Sequence, residues 1–220
     1  MSLLRAVTSF SLIIAYQNIA SGVASTIHFM YPLAVALAMM FFFREKKSLL
    51  VILAVLMSLL GAALLSLGEL EAKSGNTMVG LVAACVSVFS YAGYIVGVRT
   101  TRAVQINSTA LTCYVIGLGT IFYLIGAYCT SGLQLVSDGY TWLIILGLAL
   151  PATAISNITL VQAIKYAGPT LTSILDAMEP LTAVVIGVFV FKELFTVNSA
   201  VGIILILLAV SIVVFRRQKS

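Results

Sequence analysis

Two carboxyls in this chain stand where carboxyls are rare. Asp176 and Glu179 lie three residues apart, so they share one face of a helix, and they interrupt the otherwise apolar stretch 169–191. Counted from the start of that stretch at about 1.5 Å per residue, Glu179 is roughly 15 Å along, near the middle of a membrane crossing. An ionised side chain at that depth costs about 2.5–3.5 kcal/mol on insertion scales. Both groups are therefore expected to face a polar interior. Such a pair suits two tasks, carrying a coupling proton or receiving a cationic group. A structural hydrogen bond from a protonated carboxyl to a neighbouring helix is the plainer alternative.

Pro180 follows at once, and Pro32 stands in the middle of a second apolar stretch, 22–43. A proline inside a helix removes one backbone bond and pushes away the carbonyl four residues earlier. Those carbonyls belong to His28 and Asp176, so each kink is expected to free an acceptor. Interrupted helices near the midplane offer such groups to small molecules or ions; a packing kink is the plainer reading. His28 is the sole histidine of the chain, and with Tyr31 it completes the candidate set around Pro32. Tyr91 and Tyr94 share a face three residues apart and are suited to stacking on a small organic molecule. Asn157 and Gln162 are further polar candidates, five apart and less well aligned. In helical bundles such groups also serve as interhelical glue, worth about 0.6 kcal/mol each.

Other chemistry is poorly supplied. A single histidine and no His-Glu-x-x-His pattern argue against a membrane-embedded enzyme or a metal site, so no catalytic residue, metal or cofactor is expected. Cys85, Cys113 and Cys129 all fall inside apolar runs and read as small core residues rather than as a disulfide framework.

The elements holding these residues must be membrane helices. Hydrophobic residues make up 61% of the 220 and charged ones 9%, far below the quarter that a soluble domain needs to cover its surface. Residues 74–98, 103–137 and 139–164 each lack Asp, Glu, Lys and Arg, and each exceeds the 20 or so residues of a crossing. Stretches such as "GIILILLAVSIVVF" lack the alternation of barrel strands. The fold class is an all-α polytopic membrane bundle. About eight spans are expected, at 2–17, 22–43, 48–68, 78–98, 108–130, 140–163, 169–191 and 196–215. The net charge of +5 does not call for nucleic acid, because the basic residues cluster beside helix ends. With regular alternation, ten of the twelve basic residues, Arg5 among them, fall on one side. The positive-inside rule makes that side, and the C-terminus, cytoplasmic. Lys73 and Lys192 remain outside, and Trp142 reads as an interfacial anchor.

Shifting the chain by 148 residues lays "STIHFMYPLAVALAMMFFFRE" (25–45) on "SILDAMEPLTAVVIGVFVFKE" (173–193), with seven of 21 positions identical. Pro32 meets Pro180, Glu45 meets Glu193, His28 meets Asp176 and Tyr31 meets Glu179. An offset of five crossings inverts the second copy, which makes an inverted-topology repeat. Residues 1–70 are then a shortened first unit (helices three to five) and 77–217 a complete second one (helices six to ten). On this arithmetic the first unit would begin near position −70, so two helices of a 5+5 plan are missing.

On these residues the chain resembles the EamA-like family of the drug/metabolite transporter superfamily. The apolar–Pro–apolar helix closing on a basic–Glu pair ("YPLAVALAMMFFFRE", "EPLTAVVIGVFVFKE") carries the resemblance. So do the helices that close each repeat ("LLGAALLSLG", "VGIILILLAVSIVVF"). The resemblance implies a secondary transporter of small organic metabolites, working by alternating access around a central cavity lined largely by helices three, four, six, eight and nine. Its partners would be a small-molecule substrate, the lipid bilayer and, for coupled transport, protons; its place would be the cell membrane. Anionic substrates would call for a Lys or Arg deep in a span, and none is evident, so neutral, zwitterionic or cationic metabolites are expected. The alternative is a truncated, non-transporting membrane remnant.

Overall fold

The computed structural model describes residues 1–43, 49–66, 76–129, 138–176, 178–190 and 197–218, and all its regular elements there are helical. They are α1 (Ser2–Asn18), α2 (Ser21–His28), α3 (Tyr31–Phe42), α4 (Leu49–Ser66), α5 (Thr77–Thr100) and α6 (Ser108–Cys129). After them come α7 (Gly139–Gly147), α8 (Ser156–Ala167), α9 (Pro169–Leu175), α10 (Met178–Val190) and α11 (Val197–Gln218). Among the described residues, four stretches are long and apolar enough to cross a membrane: Val23–Phe42, Thr77–Thr100, Ser108–Gly126 and Gly139–Ala167. Leu49–Gly61 and Ala200–Ile212 are shorter apolar helices. The large apolar side chains left exposed, such as Leu118, Ile125 and Leu143, need a lipid surface rather than water. The chain is an integral membrane protein built as a helical bundle.

The expected stretches 22–43 and 169–191 are not single kinked helices. Each is two helices, broken at Phe29–Met30 in the first and after Leu175 in the second. The physical reason is where proline is tolerated. Pro32 sits at the start of α3 and Pro180 in the first turn of α10, where a missing N–H leaves no bond unmade. The chain stops one helix and starts another, so it avoids the roughly 3 kcal/mol of an interior proline.

A third proline, Pro151, does sit inside a helix. The stretch 140–163 accommodates it by widening to a π-helical segment, Leu148–Ile155, between α7 and α8. Asn76 caps α5 by accepting from the N–H groups of Met78 and Val79, the usual device for satisfying a helix start. Asp138 caps α7 through Thr141, and this exposed carboxyl is held below the ordinary carboxylate range by the N–H and hydroxyl of that residue.

α5 is the central element. α1 runs antiparallel along it, as three meetings show. A Cβ on Gly97 would lie 2.5 Å from Met1, Thr8 Oγ1 is 2.9 Å from Ser90 Oγ, and a Cβ on Gly80 would lie 2.6 Å from Ile19. α2, α3, α8 and α9 pack on α5 as well. α3 is apolar all round, as suits a helix buried on two sides. Tyr31 and Val35 face α5, while Ala36 and Met40 face α4, α9 and α11. α4 and α11 approach closely at Gly61, where a Cβ would lie 2.7 Å from the Gly202 carbonyl. Small residues that let backbones approach are the common means of helix association in lipid.

The basic–Glu pairs Arg44–Glu45 and Lys192–Glu193, together with Lys46, Lys47, Lys73 and Lys219, lie outside the described residues.

Candidate functional site

The break before α3 and the break before α10 are neighbours, because α3 packs on α9. Around them the structure gathers six of the residues singled out above. His28 closes α2 and Tyr31 opens α3. From α5, Tyr91 and Tyr94 face them, being three residues apart on the helix. The ring centroids of Tyr31 and Tyr91 are 4.6 Å apart and nearly perpendicular, and His28 lies 5.4 Å from each. Tyr91 and Tyr94 are 6.2 Å apart and close to parallel. His28 Nδ1 and Ser87 Oγ share a hydrogen bond of 2.9 Å, which fixes the ring against α5. The Ser87 hydroxyl also reaches the Ala84 carbonyl.

Asp176 and Glu179 supply the opposite wall. The Tyr31 hydroxyl lies beside the Asp176 carboxyl, and the Glu179 charge acts on Tyr31, Tyr91 and Asp176. Glu179 is exposed while Tyr31 is 2% exposed, so the acidic wall is open where the aromatic wall is closed. The freed acceptor expected at Asp176 is not free: its carbonyl accepts the Glu179 N–H at 2.9 Å. The break closes its own backbone bond, so side chains rather than carbonyls carry the polarity here.

Two buried polar atoms of this cluster have no hydrogen-bond partner among the described residues, the Tyr94 hydroxyl and Asp176 Oδ2. Unpaired buried polar atoms are uncommon because each costs about 1–3 kcal/mol.

Asn157 and Gln162 do not join the group. Asn157 is buried, but its amide donates to the Thr153 carbonyl at 2.6 Å, beside the π-helical segment. Gln162 is exposed on α8. Their five-residue spacing is what kept them apart.

Arg5 is a further member. Its place near the start of its span reads as that of a flanking charge, and the sequence alone points to no deep cation. Its guanidinium instead lies 5.1 Å from the Tyr91 ring centre and 5.9 Å from that of Tyr94, within the stretch Thr77–Thr100. Its charge acts on His28, Asp176 and Glu179. The cause is the register of α1 on α5: Leu4 meets Gly93 and Thr8 meets Ser90, so Arg5 is carried to the level of the tyrosines. Rings facing a half-buried cation are worth about 0.5–2 kcal/mol, and the carboxyls add to that. Arg5 lies near its helix end, and nothing in one sequence marks which way such a side chain turns.

The arrangement is a cation, three tyrosine rings and a histidine, and two carboxyls, set where two broken helices meet inside an apolar bundle. It can bind a small polar molecule and bring charge to it. A search of curated proteins returns no match. Among solved structures, one crystal structure superposes with a TM-score of 0.81 at 18% identity, covering 97% of this chain and 74% of that one; the likeness is one of fold. The family model for the EamA-like transporter family matches residues 78–215. That match takes in α5 with its two tyrosines, the broken segment with both carboxyls, and most of α11, and by it this chain belongs to the EamA-like transporter family.

Proposed function

We propose that this chain is a secondary transporter of small organic metabolites, moving them across the cell membrane by alternating access, with its C-terminus in the cytoplasm. In this reading residues 1–70 and 77–217 are the shorter and the complete copy of one inverted unit, and about eight of its stretches cross the bilayer. The two copies meet around Tyr31, Tyr91, Tyr94, His28, Asp176 and Glu179. The observation that carries the proposal is the meeting of two proline-broken helices at a charged, aromatic cluster within an otherwise apolar bundle. Broken helices at the midplane are how many transporters present polar groups to a solute without exposing backbone to lipid. The equivalence of Pro32 and Pro180 in the sequence alignment, each opening the second half of its segment, supports the paired copies.

Protons are the coupling ion we propose, with Glu179 as the exposed carboxyl best placed to exchange them. The test is flux of a solute panel into liposomes containing the purified chain, under an imposed pH gradient. Wild type should accumulate at least one solute in a gradient-dependent way, and Glu179→Gln should remove that dependence. Gradient-dependent flux in the variant would dismiss Glu179 as the coupling group. Failure of wild type to move any solute would dismiss the transporter reading.

A further inference from the structure

We infer that the corner where α5, α6 and α8 meet at one end of the bundle binds the phosphate headgroup of an anionic phospholipid, through Arg99, Arg102 and Lys165. The inference needs the membrane placement of the chain and not its transport. Two long-range bonds build the corner. The Arg99 guanidinium, in the last turn of α5, donates through Nη1 to the Lys165 carbonyl at 2.8 Å. The Lys165 ammonium, in the last turn of α8, donates to the Ile106 carbonyl, two residues before α6 begins. Both side chains are thus fixed at the junction with donors to spare, since a guanidinium carries five and an ammonium three. Arg102 opens the short helix Arg102–Gln105 between α5 and α6, and it is exposed.

The corner lacks a counter-charge. The acidic residues that the structure describes lie elsewhere: Asp138 precedes α7, at the other end of the stretch that closes on Lys165, and Asp176 and Glu179 belong to the cluster. The carbonyls that meet Arg99 and Lys165 are partial charges of the kind that favour a nearby cation, and they leave the corner positive. A phosphate diester answers it, because its anionic oxygens accept from guanidinium and ammonium together. The surroundings select the lipid form of that group over the free ion. The proposed orientation sets this corner at the cytoplasmic leaflet, which carries anionic lipids, and there each Lys or Arg strengthens binding roughly fivefold. Ile106, whose carbonyl takes the ammonium, has an exposed side chain, and α6 leaves Tyr114, Leu118 and Ile121 exposed along one face. An acyl chain gains from that apolar wall. A free anion does not.

The experiment is lipid binding to the detergent-purified full chain, read by native mass spectrometry. The probes are dioleoylphosphatidylglycerol and dioleoylphosphatidylcholine, which carries the same phosphate without net charge, and inorganic phosphate as competitor. Phosphatidylglycerol should bind roughly tenfold or more tightly than phosphatidylcholine, and inorganic phosphate at equal concentration should not displace it. Arg99→Gln combined with Lys165→Gln should weaken phosphatidylglycerol roughly ten- to thirtyfold and leave phosphatidylcholine within about twofold. Arg102→Gln leaves both bonds of the corner in place and should weaken phosphatidylglycerol about fivefold; it keeps the test decisive if the double variant does not fold. Arg216→Gln combined with Arg217→Gln removes the same charge from the end of α11 and should cost no more than about twofold, since charge away from the contact is screened. The inference is overturned if the two lipids bind alike, if inorganic phosphate displaces the lipid, or if Arg102→Gln changes nothing. It is also overturned if the α11 variant loses as much as the corner variant, which would make the preference one of overall charge. Solute flux in liposomes is a separate readout, so the transporter reading stands or falls without this site.

Discussion

The two broken helices use one backbone device and end in opposite surroundings. At the first break, His28 and Tyr31 are tied into the bundle by rings and by Ser87, and Tyr31 is 2% exposed. At the second, Asp176 and Glu179 stand at the end of a short helix, with Glu179 exposed and one Asp176 oxygen unpaired. The approaches differ as well. α2 starts from Ala20 with an ordinary φ of −56°, whereas α9 starts from Gly168 at φ 89° and ψ 158°, a region that only glycine enters without strain. The lesson is a division of labour. The first break buries its side chains and forms a wall; the second ends a helix that is itself well buried and there presents charge.

Substitutions can break or sharpen that contrast. The largest effect on stability should come from Tyr31→Ala. Emptying so large and buried a site costs roughly 3–5 kcal/mol, read as a lowered denaturation midpoint in detergent, while Glu179→Gln should leave the midpoint unchanged. Equal losses at the two positions would erase the distinction between wall and charge. Next, Gly168→Ala should cost roughly 1–3 kcal/mol although a Cβ there meets nothing within 4 Å, because the cost is one of backbone conformation. Ala20→Gly before α2 should cost less. Ser87→Ala removes the partner of His28 and should cost about 1 kcal/mol; the His28 ring signals in NMR should broaden as the ring loses its anchor. Smallest are Pro32→Ala and Pro180→Ala. Both prolines occupy first-turn positions that suit them, so each change should cost only about 0.4–1 kcal/mol, through the unfolded chain. A much larger loss at one would show that its break depends on the proline itself.

Much of the fold is legible in the sequence. The helices lie within a few residues of the expected stretches, since charge-free runs of 25 or more residues leave a chain little choice in lipid. Of the candidate site, the pair Tyr91 with Tyr94 is legible, because three-residue spacing puts two side chains on one helical face. His28 with Tyr31 and Asp176 with Glu179 stand across helix breaks instead, and it is the tight turns there that keep each pair together. The widening at Pro151 is not legible in the sequence, since a π-helical segment leaves no mark in the hydropathy. Asn157 and Gln162 are the opposite case: their polarity is visible, but what it bonds to is not.

Composition and periodicity by themselves determined that the chain is helical, that it lives in a membrane, and that a few polar residues must hide inside it. Those are consequences of solvent and of local geometry, which each stretch of chain meets alone. Only the tertiary structure decided that the tyrosines of α5 stand between Arg5 and two carboxyls, and that the wall at Tyr31 is closed while Glu179 is open. Such facts depend on the register of one helix against another. Register is set by the sum of many small contacts, Met1 on Gly97 and Thr8 on Ser90 among them, between residues far apart in the chain.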